Sequence, residues 1–148
     1  MIRTTPTSWN AESLSATSRT QWGLKIGADP GAEIKQGEIG TSTGPLLTSG
    51  LYTCVAVGLS TRDKTFLAHV DAGCCPSILA HSIDTTFSPD ALPTLHLWNH
   101  AGAETPLLGH AAKIVDQALA LSRLPKKEIV DHGMVSLFDT VTIDLESA

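Results

Sequence analysis

The stretch LYTCVAVGLSTRDKTFLAHV, residues 51–70, decides the fold that we expect of this chain. Its two arms, 51–59 and 64–70, are rich in Val, Leu, Phe and Tyr, and the polar letters STRD lie between them. Two such runs joined by a short polar break predict a β-hairpin. Neither face of the hairpin is charged, so we expect it to lie in the centre of a sheet that is covered on both sides.

The register of this hairpin determines which side chains meet across it. Alternation along the first strand places Val55 on one face and Cys54 on the other. A loop centred between Thr61 and Arg62 puts Cys54 directly opposite His69, with Cβ atoms about 4.5–5.5 Å apart. A register slip of one residue would move the imidazole to the other face.

A thiol beside an imidazole is a known nucleophile–base arrangement. The imidazole favours the thiolate, which attacks a carbonyl carbon, and the imidazolium then protonates the leaving group. An activated thiolate predicts that iodoacetamide alkylates Cys54 before Cys74 and Cys75. A third group must orient the imidazole, and the hydroxyl of Thr48 or a loop carbonyl can do so. The alternative is that Cys54 and His69 are ordinary core residues, since Cys is among the most buried residue types.

The rest of the chain adds one clear helix and several short strands. Apolar residues recur at three- and four-residue spacing over 107–124, which predicts a helix that ends before a proline. We expect strands at 22–26, 77–87 and 93–100, and one or two within 134–146. This strand-rich pattern with one strong helix favours the α+β class.

Length, charge and hydropathy exclude several classes of protein. The chain has 148 residues and a net charge of −5, a size typical of one domain. We expect a polar N-terminal arm over residues 1–20 and a single domain over 21–148. A nucleic-acid partner is not expected, because no Lys/Arg-rich stripe is present. No apolar run reaches the roughly 18–20 residues that span a bilayer, and the N-terminus does not read as a secretory signal.

Other chemistry-bearing residues give weaker patterns. Cys74 and Cys75 are adjacent and no CxxC occurs, so we expect no zinc site. On a strand, His96 and His100 would lie about 13 Å apart, too far for one metal ion, although Asn99 or His100 could line the same cleft as Cys54. No phosphate-binding loop motif is present. The remaining histidines have no visible partner and are predicted to be structural or exposed: His81, His110 and His132.

The segments TSGLYTC (48–54), VAVGL (55–59) and LAHV (67–70) together resemble the CheD chemoreceptor glutamine deamidases. The spacing between the Cys and the His is closer to that of the catalytic domains of cytotoxic necrotizing factor and the related Burkholderia lethal factor toxins. The resemblance covers about 25 of the 148 residues. It implies an α/β sandwich in which mixed, largely antiparallel β-sheets are flanked by helices.

The resemblance also implies a reaction, the conversion of a glutamine side chain of a protein to glutamate. Cys54 would be the nucleophile, His69 the base and Thr48 the orienting residue, with Thr53 supplying a backbone N–H to the oxyanion. Tyr52 departs from the small residue usual before the nucleophile and is expected to shape the substrate pocket.

No metal or cofactor is implied. The implied partner is a protein with a reactive glutamine, and the chain is expected to act as a monomer. Its implied location is the bacterial cytoplasm, or a host cell reached without a cleavable signal peptide, as for a toxin or effector. Open alternatives are a chemoreceptor-type deamidase, a transglutaminating or other thiol-dependent enzyme, and a CheD-like interaction module without catalysis.

Overall fold

A computed structural model describes residues 25–100 and 106–147 of the chain. The predicted arm at 1–20 and most of the predicted strand at 22–26 lie outside these residues. The elements follow in the order β1 (Lys25–Gly27), β2 (Ala32–Glu33), β3 (Ile39–Ser42), β4 (Leu46–Ser49), β5 (Val55–Ser60), β6 (Thr65–Val70), α1 (Pro76–Thr86), β7 (Thr94–Trp98), α2 (Pro106–Leu121), β8 (Glu128–Asp131) and β9 (Thr140–Ile143).

The strands form two mixed sheets. The larger has six strands in the order β1-β3-β6-β5-β7-β8, and the smaller has three in the order β2-β4-β9. Both helices pack against one face of the large sheet, and the small sheet covers the other face. The described residues therefore form three layers, helices on a large sheet on a small sheet, which confirms the α+β class. Neither helix is long and apolar enough to span a bilayer.

The predicted hairpin is the centre of this arrangement, and every residue of β5 and β6 is buried. Its register differs from our expectation. Ser60 pairs with Thr65, and Val55 pairs with Val70, so the loop is centred one residue later than expected. His69 therefore lies opposite Ala56 instead of Cys54. The difference moves the pairing by two residues, an even number, so Cys54 and His69 still share a face.

The strand expected at 77–87 is wrong, because this segment is helix α1. Its Ile and Thr residues favour a strand locally, but Pro76 occupies the first turn, where proline suits a helix. Leu79, Ala80 and Ile83 then recur at helical spacing and are buried against the large sheet. Burial of this stripe outweighs the local preference of the β-branched residues.

Other expectations agree more closely with the structure. The helix predicted at 107–124 is observed as α2 and ends three residues earlier, at Leu121. The segment 93–100 contains β7, and 134–146 contains one strand, β9. Strand β8 was not predicted. This strand has only four residues and lies at the edge of the large sheet. Because most of its residues are exposed, its sequence shows little alternation of apolar and polar residues.

Close approach of the two sheets depends on Gly58 in β5. A Cβ at this position would lie 2.5 Å from Cδ1 of Ile143 and 3.1 Å from Cζ3 of Trp98. Glycine therefore lets Ile143 of the small sheet pack directly on the large one. The same inter-sheet layer contains Cys54 and adjoins the candidate site.

Candidate active site between the two sheets

A hydrogen bond between the sheets joins two of the predicted site residues. Thr48 faces inward from β4 of the small sheet, and His69 faces it from β6 of the large sheet. Their side chains meet at 2.8 Å, between Thr48 Oγ1 and His69 Nδ1. The first residue is 0% exposed and the second 2%, so this bond forms away from solvent.

The hydrogen bonds of Thr48 determine the tautomer of the imidazole. Its hydroxyl donates its single proton to the carbonyl of Ile34 at 2.6 Å. Thr48 Oγ1 must therefore accept from His69, which places the proton of the neutral ring on Nδ1. The lone pair is then on Nε2, a buried atom without a hydrogen-bond partner among the described residues. A buried imidazole is thus held with its basic nitrogen free to accept a proton.

Cys54 lies immediately before β5, on the same side of the large sheet as His69. It is 2% exposed and packs in the inter-sheet core with Leu51 and Trp98. Since His69 pairs with Ala56, the thiol and the imidazole are diagonal neighbours across the two strands. Such neighbours have Cα atoms about 7–8 Å apart, so Cys54 and His69 share a face without being directly opposed.

Burial sets the resting protonation of both groups. Desolvation, followed by the nearby Asp71 carboxylate, raises the pKa of Cys54 to about 12, although a hydrogen bond with the Thr53 side chain lowers it in part. Desolvation lowers the pKa of His69 to about 4, against a raising effect of Asp71 and Glu38. The resting pair is therefore a neutral thiol and a neutral imidazole. This corrects our expectation of a thiolate favoured by the imidazole, because burial disfavours either charge alone.

Asp71 is a site residue that our reading of the sequence missed. It follows β6 two positions after His69, and continuing the register of the hairpin by one pair brings it opposite Cys54. Its side chain is 4% exposed and accepts hydrogen bonds from Gln36 Nε2 at 3.2 Å and from the backbone N–H of Gly73 at 2.9 Å. The signal that could have found it is the two-residue alternation that places it on the same face as the imidazole.

Asn99, which we expected could line the same cleft as Cys54, hydrogen-bonds the segment that contains Cys54. Its Nδ2 donates to the carbonyls of Leu51 and, at 3.4 Å, of Cys54. Its Oδ1 accepts from the N–H of Val135 at 2.7 Å, and its own N–H donates to Gly133 at 2.9 Å. This residue is 1% exposed and has a φ of 64°. It joins the segment before β5 to the loop before β9.

The two remaining predicted site residues lie on the bend before Cys54. Thr53 is partly buried and hydrogen-bonds the thiol, whereas Tyr52 is 68% exposed. Tyr52 therefore lies at the outer surface beside the site. Cys74 packs in the core on the helical side of the large sheet. Its thiol donates a hydrogen bond to Asp71 Oδ1 at 3.3 Å. Cys75 is partly exposed.

The histidines outside the site are not all isolated. His132, predicted to have no partner, lies 2.9 Å from His96 between Nε2 and Nδ1, and stacks on Trp98 with ring centroids 4.5 Å apart. His100 does not join the cleft, because its Nε2 contacts Asp116 of α2 at 2.6 Å. Both contacts connect residues distant in sequence, so spacing alone did not reveal them.

A cavity lies at the other end of the hairpin. It has a volume of about 620 Å³ and is lined by residues of the 61–64 loop with Phe87, Leu92 and Lys127. None of its lining residues is a predicted site residue. Within the described ranges, no group of three or more His, Cys, Asp or Glu is arranged to hold a metal ion.

Comparison with known proteins gives this chain no family. No protein-family model matches it, and no curated protein matches it significantly.

Proposed function

We propose that this protein is a cysteine-dependent amidohydrolase that converts a glutamine side chain of a protein partner to glutamate. The observation that carries this proposal is the Thr48–His69 hydrogen bond, which fixes a buried imidazole with its Nε2 lone pair unpartnered. A purely structural histidine would satisfy both ring nitrogens, since burial of an unpaired polar atom costs about 1–3 kcal/mol. An unpaired basic nitrogen on the same face of the sheet as the Cys54 thiol suits proton transfer.

The first half of the reaction forms a thioester. His69 Nε2 takes the proton of the Cys54 thiol as sulfur attacks the carboxamide carbon of the glutamine. The backbone N–H groups of Thr53 and Cys54 stabilise the oxyanion of the tetrahedral intermediate. The C–N bond then breaks, and the proton on Nε2 leaves with the nitrogen as ammonia. No change in oxidation state occurs.

The second half returns the enzyme to its resting state. Nε2, now unprotonated, takes a proton from water as the water oxygen attacks the thioester carbon. The C–S bond breaks, the proton returns to sulfur, and the product is the glutamate side chain. The sum is glutamine plus water giving glutamate plus ammonia. An amine that replaces the water would give a transglutaminated product by the same steps.

Burial makes the Cys54 thiolate and the His69 imidazolium depend on each other for stability. Desolvation disfavours a thiolate or an imidazolium alone, but proton transfer creates both together, and each stabilises the other in a medium of low dielectric. The Asp71 carboxylate favours the imidazolium and disfavours the thiolate. The pair therefore rests neutral, and the transferred proton is stabilised on His69 once sulfur has bonded to carbon and lost its charge.

A glutamine-analogue electrophile tests the proposal without knowledge of the natural target. A peptide carrying diazo-oxo-norleucine in place of glutamine presents a reactive carbon that a thiol attacks with loss of dinitrogen. We expect mass spectrometry to find the thioether on Cys54, and ammonia release from the matching glutamine peptide. Cys54→Ser should abolish both, and Cys75→Ser should leave both unchanged. Labelling confined to Cys75, with no ammonia released, contradicts the proposal.

A second candidate function is a protein-interaction module without catalysis. The observation that favours it is the burial of Cys54, which is 2% exposed and has a pKa raised to about 12. Such a module would bind its partner equally well with Cys54→Ser and would not react with the electrophilic peptide. The same labelling experiment therefore separates the two candidates.

A further inference from the structure

Four large apolar side chains on the 51–54 and 132–139 loops face solvent. Tyr52 is 68% exposed, Met134 49%, Leu137 44% and Phe138 89%. We infer that these four residues, the apolar rim, are the docking surface for a partner protein whose segment presents apolar side chains beside its glutamine and basic side chains around it. This inference deepens the proposed function and rests on it.

The rim comes from two loops that the fold holds together. Tyr52 lies on the 51–54 loop, and the other three residues lie on the 132–139 loop. Pairing of Ser49 with Thr140 between β4 and β9 places the ends of the loops side by side. Asn99 then bonds to the carbonyl of Leu51 in one loop and to the N–H of Val135 in the other. The exposed side chains therefore belong to one fixed region.

The nucleophile lies beneath these loops. Leu51 and Cys54 are buried in the inter-sheet core, and Val135 packs against the same core. Solvent reaches little of Cys54 or His69, each of which is 2% exposed. A carboxamide that approaches Cys54 from the side of the two loops passes the rim, so the same partner surface that delivers the glutamine covers these apolar side chains.

Apolar exposure of this kind is typical of a protein contact. Aromatic side chains dominate the energetics of protein interfaces and cluster at their centres. Phe138 is the most exposed large apolar residue described, and burying a Phe side chain removes a large apolar area from water. A small polar substrate would cover little of this surface, which favours a macromolecular occupant.

Charge around the rim selects the partner's chemistry. Residues 131–139 contain two carboxylates and no Lys or Arg. Asp131 and Asp139, at the two ends of the 132–139 loop, are exposed. Both also hold the loop, accepting backbone hydrogen bonds at 2.8 Å from Gly133 and Ser136 respectively. An acidic edge around an apolar centre complements a partner segment with Lys or Arg beside its apolar residues.

Binding of two fluorescent glutamine peptides tests the inference directly. One peptide carries Leu and Phe next to the glutamine and Arg at both ends, and the other carries Gly and Asp at those positions. Anisotropy is measured on Cys54→Ser protein, so that binding is read without turnover. We expect the apolar, basic peptide to bind at least about tenfold tighter, and Phe138→Ser to reduce that preference. The preference should shrink as salt is added.

Leu121→Ser is the matched control, because Leu121 is 56% exposed and ends α2 in the helical layer. It should leave the preference unchanged. Equal binding of both peptides, or equal loss in the two variants, overturns the docking surface. Sedimentation that shows a dimer dissolved by Phe138→Ser also overturns it, by assigning the rim to a second copy. Labelling of Cys54 by the electrophilic peptide tests the catalytic proposal separately, so the two failures are distinguishable.

Discussion

Thr48 Oγ1 accepts a hydrogen bond from His69 Nδ1 at 2.8 Å while donating its own proton to the Ile34 carbonyl at 2.6 Å. A residue of the small sheet therefore orients an imidazole of the large sheet, and the hydroxyl is satisfied on both sides. The consequence is chemical, because the relay leaves only Nε2 to act as a base. It is also structural, because the bond crosses the inter-sheet core.

Removing this hydroxyl should cost both stability and the fixed tautomer. Thr48→Val keeps the shape but leaves the Nδ1–H of His69 and the carbonyl of Ile34 without their partner. We expect the free energy of unfolding to fall by about 1–3 kcal/mol, and nitrogen NMR of the imidazole to show a mixture of tautomers. Thr48→Ser keeps the hydroxyl and should lose only about 1 kcal/mol, from one buried methyl group. Equal losses in Val and Ser would remove the orienting role.

The stability of the protein should fall as pH drops below about 6.5. The pKa of His69 is lowered by burial from 6.5 to about 4 in the folded state, so over that window the unfolded chain binds a proton that the folded chain does not. The stability lost at pH 5 from this group alone is about 2 kcal/mol. Urea unfolding at pH 7 and pH 5 measures it.

His69→Gln isolates this contribution. Other groups titrate in the same range, including His96, whose pKa is also lowered by burial. The relevant quantity is therefore the difference in pH dependence between the wild type and the variant. In His69→Gln, the loss of unfolding free energy between pH 7 and pH 5 should be smaller by about the same 2 kcal/mol. An identical loss of stability in the wild type and the variant on acidification would mean that the fold does not hold the imidazole neutral.

Alkylation of Cys54 should be slow at neutral pH and should respond to Asp71. Burial and the carboxylate keep the thiol protonated, with a pKa of about 12, so iodoacetamide should modify the partly exposed Cys75 first. Asp71→Asn retains an acceptor for the Gly73 N–H but removes the charge. The pKa of Cys54 should then fall, and its alkylation rate near pH 9 should rise.

Glu38→Gln is the control for this charge effect. The Glu38 carboxylate contributes to the pKa of His69 and has no part in the shift of Cys54. Its removal should leave the pH profile of Cys54 alkylation unchanged while lowering the pKa of His69. A profile that moves equally in both variants would point to a general loosening of the fold instead of the Asp71 charge.

The central hairpin and its two faces could be predicted because they follow from alternation within a few residues. The register could not. It depends on the loop, where Thr61 N–H donates to the Lys64 carbonyl at 2.9 Å and Thr61 Oγ1 accepts from the Lys64 N–H at 3.2 Å. These bonds close the turn one residue later than the sequence suggested. Because sheet faces repeat every two residues, the error left the Cys54–His69 face intact.

Helix α1 shows where local preference misleads. Its Ile and Thr residues read as a strand, yet Thr86 Oγ1 bonds back to the Ser82 carbonyl at 2.6 Å, a contact of the helical turn. Packing of Ile83 against the large sheet decides the outcome, and that packing partner lies elsewhere in the chain. The pairing of His96 with His132 has the same origin in long-range contacts.

The Asn99 side chain should stabilise the contact between the 51–54 loop and the 132–139 loop. Asn99→Gly keeps its φ of 64° accessible but removes the bonds to Leu51, Cys54 and Val135. We expect a loss of about 1–3 kcal/mol in the free energy of unfolding, with faster hydrogen exchange at the Val135 amide. Leu92→Gly, at the other described non-glycine residue with positive φ (48°), relieves backbone strain without losing such bonds and should be neutral or stabilising. Equal responses of the two variants would show that backbone conformation, not the Asn99 amide, sets the stability of these loops.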